Sequence, residues 1–137
     1  MNRTVLLLAG VGMVSWGVWA VFAEFATETL APEVAMDVSY VAGVSVAVGY
    51  ILAQGYAPTL SGAGVGYAVA GGLASGVGSI AYYTALQRGS TALPTTVTGL
   101  YFVVAVGIGI ALLGEPVDAR DLAGIALAVG AVVLLSS

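Results

Sequence analysis

The side chains with the widest range of chemistry are seven carboxylates and three arginines, because Cys, His and Lys do not occur in this 137-residue chain. Without Cys and His there can be no disulfide, no thiolate nucleophile, no imidazole base and no zinc or iron–sulfur site built on those ligands. Without Lys, Schiff-base chemistry and a P-loop are excluded as well. We therefore predict that the protein is not an enzyme and that it has no catalytic residue, cofactor or metal.

Charged residues are few, and most of them are acidic. They make up 7% of the chain, against about a quarter of a typical soluble domain. Hydrophobic residues make up 60%, and the formal net charge is −4. This composition predicts an all-α integral membrane protein surrounded by lipid. It also predicts no nucleic-acid partner, because phosphate binding needs clustered Arg and Lys.

The chemistry that remains is hydrogen bonding by hydroxyls and stacking by aromatic rings. Residues with these groups recur at spacings of three and four, which places them on one face of a helix. Helix faces that carry hydroxyls avoid lipid and could enclose a cavity near mid-membrane. Aromatic belts at the membrane surface, and hydroxyls bonded to their own helix backbone, are the alternatives. The stripes are Ser15, Trp16 and Trp19; Tyr40, Gly43, Ala47 and Tyr50; Ser75, Ser79 and Tyr82, with Tyr83 adjacent; and Thr91, Thr95 and Thr98, followed by Tyr101 or Phe102.

From these stripes we predict a substrate pathway in which rings stack on a solute and hydroxyls orient it. Its predicted residues are Trp16, Trp19, Tyr82, Tyr83, Thr95, Thr98 and Tyr101.

Glu24 is the one carboxylate that could lie inside the membrane, at the end of the first apolar run. If the first helix continues past Ala23, Glu24 could bind a cation or provide charge selectivity. If the helix stops at Ala23, Glu24 is a solvated loop acid. The sequence leaves both readings open.

Charge-free runs define the elements that must position these residues. The runs cover residues 4–23, 38–87, 89–114 and 122–137, and a membrane helix needs about 20 apolar residues. The second run is long enough for two helices, and a Gly- and Pro-containing turn near residues 54–62 divides it. We predict one five-helix domain over residues 1–137, with spans at about 4–26, 32–54, 63–87, 91–113 and 119–136.

Local signals support the helix ends. Pro32 suits the first turn of the second helix, Thr91 could cap the fourth, and Asp118 with Asp121 resembles a capping pair before the fifth. Glycines within the third span favour close helix packing, with a conformational hinge as the alternative reading. The glycines predicted to pack are Gly62, Gly66, Gly72 and Gly76.

Three segments together resemble EamA-type transporters of the drug/metabolite transporter superfamily. Residues 81–101 resemble the region joining the third and fourth helices, and residues 113–126 resemble the segment before the last helix. Ser15-Trp16-Gly17 resembles the family's early tryptophan–glycine signature. With the five spans, the resemblance covers essentially the whole chain. Phe102 stands where many relatives have a proline. Because proline is the usual cause of a helix kink, its absence here disfavours a kink at this position.

The resemblance implies one repeat of a fold that most relatives carry twice. A homodimer, or a pair with a similar half, would enclose a pathway for small organic solutes near the midplane and work by alternating access. An inverted pair would require opposite insertion of the two chains, so parallel and antiparallel arrangements both stay open. The implied location is the plasma membrane of a prokaryote. The alternative function is a non-transporting scaffold or accessory subunit of a larger complex.

Overall fold

The computed structural model describes the chain apart from Met1, Tyr56, Glu115, Pro116 and Ser137, and apart from the side chains of Leu113 and Ser136. The described residues form helices and connections, without strands. They divide into two compact units, residues 1–88 and residues 89–137. The arrangement of both units as one five-helix domain stays a prediction.

Three helices build the first unit: α1 spans Arg3–Thr27, α2 spans Pro32–Gln54 and α3 spans Gly62–Arg88. The helix ends follow local chemistry. The Asn2 side chain accepts a hydrogen bond from the backbone N–H of Thr4 at 3.1 Å and caps α1. Pro32 occupies the first turn of α2, and Gly55 ends that helix in the left-handed conformation, with φ of 66°.

The buried residues of this unit lie at one end, which we call the packed end: the last two turns of α1, the first turn of α2 and the last two turns of α3. Small side chains on α1 and α2 let the helices approach closely, and tyrosines of α3 fill the remaining space. The residues buried here are Ala20, Ala23, Thr27, Ala35, Tyr82, Tyr83 and Leu86.

Further along the same three helices lies what we call the open half: residues 4–18 of α1, 41–54 of α2 and 62–74 of α3. Residues 62–75 of α3 are all exposed, and so are residues 40–50 of α2. Each helix therefore contacts its neighbours over only part of its length.

In the second unit, α4 spans Ala92–Gly99, α5 spans Tyr101–Ile108, a π-helical turn covers Gly109–Leu113, and α6 spans Ala119–Ser136. The helical stretch Ala92–Leu112 lies close to the predicted span of about 91–113, and it is interrupted at Leu100, where ψ is 1°. The Leu100 N–H donates to the Val97 carbonyl, and the Val103 N–H donates to the Leu100 carbonyl, at 3.1 and 2.8 Å. Both hydrogen bonds join residues three apart, as in a 3₁₀-helix, which is wound more tightly than an α-helix. They come directly after Gly99, which lacks the side chain that restrains a regular helix.

Two predicted caps in this unit have different outcomes. The Asp118 carboxylate accepts hydrogen bonds from the backbone N–H groups of Arg120 and Asp121, and the Asp121 carboxylate accepts one from the Asp118 N–H. The capping pair before α6 is confirmed. The predicted Thr91 cap is wrong, because its backbone is already helical and its side chain makes no capping hydrogen bond.

Four segments of the described chain are long and apolar enough to cross a membrane: α1, α2, α3 and the helical stretch Ala92–Leu112. The predicted all-α membrane fold is confirmed. A membrane crossing by α6 stays a prediction.

Candidate functional site

An aromatic cluster joins α1 to α3 at the packed end. The rings of Trp19 and Tyr82 stack, with centroids 5.2 Å apart and planes inclined by 20°. Tyr83 meets Trp19 and Tyr82 edge-on, at 5.8 and 6.1 Å. Three of the seven predicted pathway residues therefore contact one another, and pairs of this geometry stabilise by roughly 0.5–1.5 kcal/mol beyond burial.

These three rings differ in exposure. Tyr82 and Tyr83 are 6% and 1% exposed, whereas Trp19 is 37% exposed. A solute could therefore stack on the free part of Trp19, while the tyrosines hold that ring in position from behind. Contact of Tyr82 and Tyr83 with a solute stays a prediction.

Hydroxyl groups bridge α2 to α3 along what we call the hydroxyl seam: Ser39, Tyr40, Ser75, Ser79 and Tyr83. The Tyr83 hydroxyl donates to Ser39 Oγ at 2.8 Å. The Tyr40 hydroxyl lies 2.7 Å from Ser75 Oγ and 2.6 Å from Ser79 Oγ. It also donates to the Ser75 carbonyl at 3.3 Å.

The seam runs from the middle of α3 towards the packed end. Ser75 and Ser79 are one helical turn apart, so both reach the single Tyr40 hydroxyl. Hydroxyls both donate and accept hydrogen bonds, and here they do so between two apolar helices without an ionised group among them. This arrangement suits recognition of an uncharged polar group.

Two further predicted residues lie on α1. Trp16 is 64% exposed and is one turn from Ala20 on the same helix face, since their spacing is four residues. It therefore continues the packed stripe of α1 into the open half. Glu24 is half-buried within α1, which continues to Thr27, so the solvated-loop reading of Glu24 is wrong.

The remaining predicted pathway residues belong to the second unit. Thr95 is half-buried and Thr98 is exposed, both on α4, while Tyr101 begins α5 and is 59% exposed. The interruption at Leu100 separates Tyr101 from the threonine stripe. Tyr101 therefore does not share one continuous helix face with Thr95 and Thr98.

The four glycines predicted to pack lie in α3 without close neighbours in their own unit. A Cβ added at any of them would meet no described atom of that unit within 4 Å. Their contact with another helix stays a prediction. These residues are Gly62, Gly66, Gly72 and Gly76.

The predicted pathway omitted most of the hydroxyl seam. Tyr40, Ser75 and Ser79 carried a signal, because hydroxyls one turn apart in a charge-free run should face protein. Ser39 carried none, since it lies one position away from the Tyr40 stripe. Among the described residues, no group of three or more carboxylates could hold a metal ion.

Comparison with known proteins identifies the family. The model of the EamA-like transporter family matches residues 3–137, which include both units. No curated protein and no solved structure matches the chain. The family match covers nearly the whole sequence, and the four long apolar segments described above agree with a multi-pass membrane protein in lipid. The chain belongs to the EamA-like transporter family, whose members are membrane transporters of small solutes.

Proposed function

We propose that this protein moves small organic solutes across the plasma membrane of a prokaryote by alternating access, without covalent chemistry, as one repeat of a pair. The observation that carries the proposal is the hydroxyl seam beside Trp19. Polar side chains within membrane helices often mark functional sites, Tyr40 of the seam is 41% exposed, and the family is one of solute transporters.

The proposed pathway begins at the two tryptophans of α1. Trp16 and Trp19 offer exposed ring surface for an apolar part of the solute, and Tyr82 and Tyr83 fix the Trp19 ring. Thr98 and its neighbours would orient polar groups of the solute. Tyr40, as the most connected hydroxyl of the seam, joins the proposed pathway. The further proposed members are Thr95 and Tyr101 of the second unit.

Glu24 is the proposed source of charge selectivity. It is half-buried in α1, and a carboxylate near the end of a membrane helix favours cationic over anionic solutes. Between residues 4 and 87 the sequence has no Arg or Lys; the arginines of these three helices, Arg3 and Arg88, are the first residue of α1 and the last residue of α3.

The partner we propose is a second copy or a similar half. The open half supports this proposal, because its glycine-lined α3 could admit another helix at close range. Paired repeats of this kind hold substrate at their interface near the midplane. Either a parallel or an antiparallel pair is compatible with the proposal.

The test is transport in proteoliposomes, measured as uptake and efflux across a panel of metabolites. For any solute moved by the wild type, Trp16→Ala and Thr98→Ala should each reduce the rate by about tenfold, the equivalent of ~1.4 kcal/mol. Phe22→Ala is the matched control for Trp16→Ala, because Phe22 is 67% exposed on a different face of α1. Thr96→Ala is the control for Thr98→Ala, because the Thr96 hydroxyl bonds its own helix at Ala92.

Unchanged transport in both pathway variants would contradict the residue assignment. Absence of transport for every solute, with crosslinking in native membranes to an unrelated protein, would favour the accessory-subunit alternative.

A further inference from the structure

A groove of about 410 Å³ lies within the second unit, between α5 with its π-helical turn and the start of α6. Phe102, Val106 and Ile110 form one wall. Their spacing of four residues places them in a row on one helix face. The row is about 12 Å long, from a rise of 1.5 Å per residue. It is an apolar channel suited to a hydrocarbon chain.

The opposite wall is built by α6 and leaves room for a ligand. Ile125 adds an apolar side chain, while Gly124 has none. A Cβ added at Gly124 would meet no described atom within 4 Å, so the space beside its backbone belongs to the groove. Groove volumes of this order hold chain-like or drug-sized ligands.

Two adjacent residues of opposite charge, Arg120 and Asp121, line the mouth of the groove. Both are exposed. The capping hydrogen bonds of α6 use the Arg120 backbone N–H and leave its guanidinium available to a ligand. One Asp121 oxygen accepts from the Asp118 N–H at 3.0 Å, which fixes the carboxylate beside the mouth.

We propose that this groove binds one phospholipid whose headgroup carries both a phosphate and a primary ammonium, as in phosphatidylethanolamine. Arg120 binds the phosphate, because a guanidinium forms strong charge-assisted bonds with phosphate oxygens. Asp121 accepts hydrogen bonds from the ammonium. One acyl chain lies along the row from Phe102 to Ile110.

The charge balance favours this headgroup over an anionic one. Among the described residues, the connection before α6 and its first turn contain Asp118 and Asp121 against the single Arg120. This excess of carboxylates repels a headgroup with net negative charge, whereas a zwitterionic headgroup satisfies both charges at the mouth. The chain is a membrane protein in lipid, so phospholipids surround it.

The experiment is native mass spectrometry of the purified full-length chain with phosphatidylethanolamine or phosphatidylglycerol bearing identical acyl chains. The wild type should retain one phosphatidylethanolamine about tenfold more strongly than phosphatidylglycerol, and Arg120→Gln should lower that retention by about tenfold. Asp121→Asn, which keeps an acceptor oxygen for the Asp118 N–H, should abolish the preference between the lipids. Gly124→Leu should block retention of both.

Two matched controls accompany these variants. Gly130→Leu adds the same side chain on another face of α6, and Arg88→Gln removes the same charge elsewhere; both should bind lipid like the wild type. Equal retention of the two lipids by the wild type, or unchanged retention in Arg120→Gln, would overturn the proposal. Because Arg120 is exposed, its variant decides the matter even if Gly124→Leu fails to fold.

Discussion

The packed end and the open half of the first unit are made from the same three helices, yet their side chains are buried to very different extents. Ala35 of α2 is 1% exposed at the packed end, whereas Ala42, seven residues further on the same face, is exposed. On α3, Tyr83 is 1% exposed, whereas Tyr67 in the open half is 81% exposed. Apolar character is therefore not what decides which part of a helix is buried.

This difference follows from the physics of helices in lipid. Lipid tails solvate valine and leucine as well as a protein interior does. The free energy that holds helices against one another must therefore come from close packing and hydrogen bonds. The packed end has both, in its alanines and in the bond from Tyr83 to Ser39. The open half has Gly72 on the corresponding face of α3, which brings no side chain to a neighbour in the unit.

The largest effect is expected from enlarging a side chain at the packed end. Ala35→Leu should lower the free energy of unfolding by about 1–3 kcal/mol, because a well-packed contact has no room for three extra carbons. Ala42→Leu is the matched control and should change stability by about 0.5 kcal/mol or less, as surface substitutions do. Equal effects in the two variants, measured by denaturant titration in detergent, would remove the distinction between the packed end and the open half.

A smaller effect is expected from removing one hydroxyl of the seam. Tyr83→Phe keeps the ring and its contact with Trp19, but loses the hydrogen bond to Ser39 at 2.8 Å. Hydrogen bonds between membrane helices contribute about 0.6 kcal/mol on average and up to about 1.7, and burial of Tyr83 favours the upper part of that range.

The control for Tyr83→Phe is Tyr67→Phe on the same helix, where the side chain is 81% exposed. Unfolding in detergent should separate the two variants by about 1 kcal/mol. If Tyr67→Phe costs as much as Tyr83→Phe, the seam does not hold α2 against α3.

How far the sequence predicts this architecture depends on whether the determinants are local. The start of α2 at Pro32 and the cap of α6 at Asp118 and Asp121 were predictable, because those residues act on their own helix ends. The interruption at Leu100 was not, since Gly99 is tolerated in many helices and only the surroundings decide whether the helix bends there.

The candidate site shows the same division. Helical spacing placed Tyr82 on a polar face of α3. The rotation of α3 against α1 decides whether the side chains of that face line a cavity or are buried in the contact between the helices. The structure buries Tyr82 and leaves Trp19 partly exposed. Only the structure identifies Ser39 as part of the seam, through its hydrogen bond with Tyr83. A lone serine in an apolar helix more often bonds its own backbone, as Ser45 does with Val41.

The smallest effect on the stability of the single chain is expected from Gly72→Leu. The same variant tests most directly whether the open half contacts a second copy. A Cβ there meets no described atom of its unit within 4 Å. Replacing a helical glycine also removes a penalty of roughly 0.5–1 kcal/mol. The unfolding free energy of the isolated chain should therefore stay unchanged or rise slightly.

Assembly should respond in the opposite direction. If α3 receives a helix of a second copy, a leucine at Gly72 prevents close approach and should reduce the dimer fraction in crosslinking and light-scattering measurements. Gly78→Leu lies on a different face of α3, about 120° from Gly72 by its spacing of six residues, and should leave the dimer fraction unchanged. Dimer retained in Gly72→Leu would mean that a partner packs elsewhere, and that the glycines of the open half face lipid.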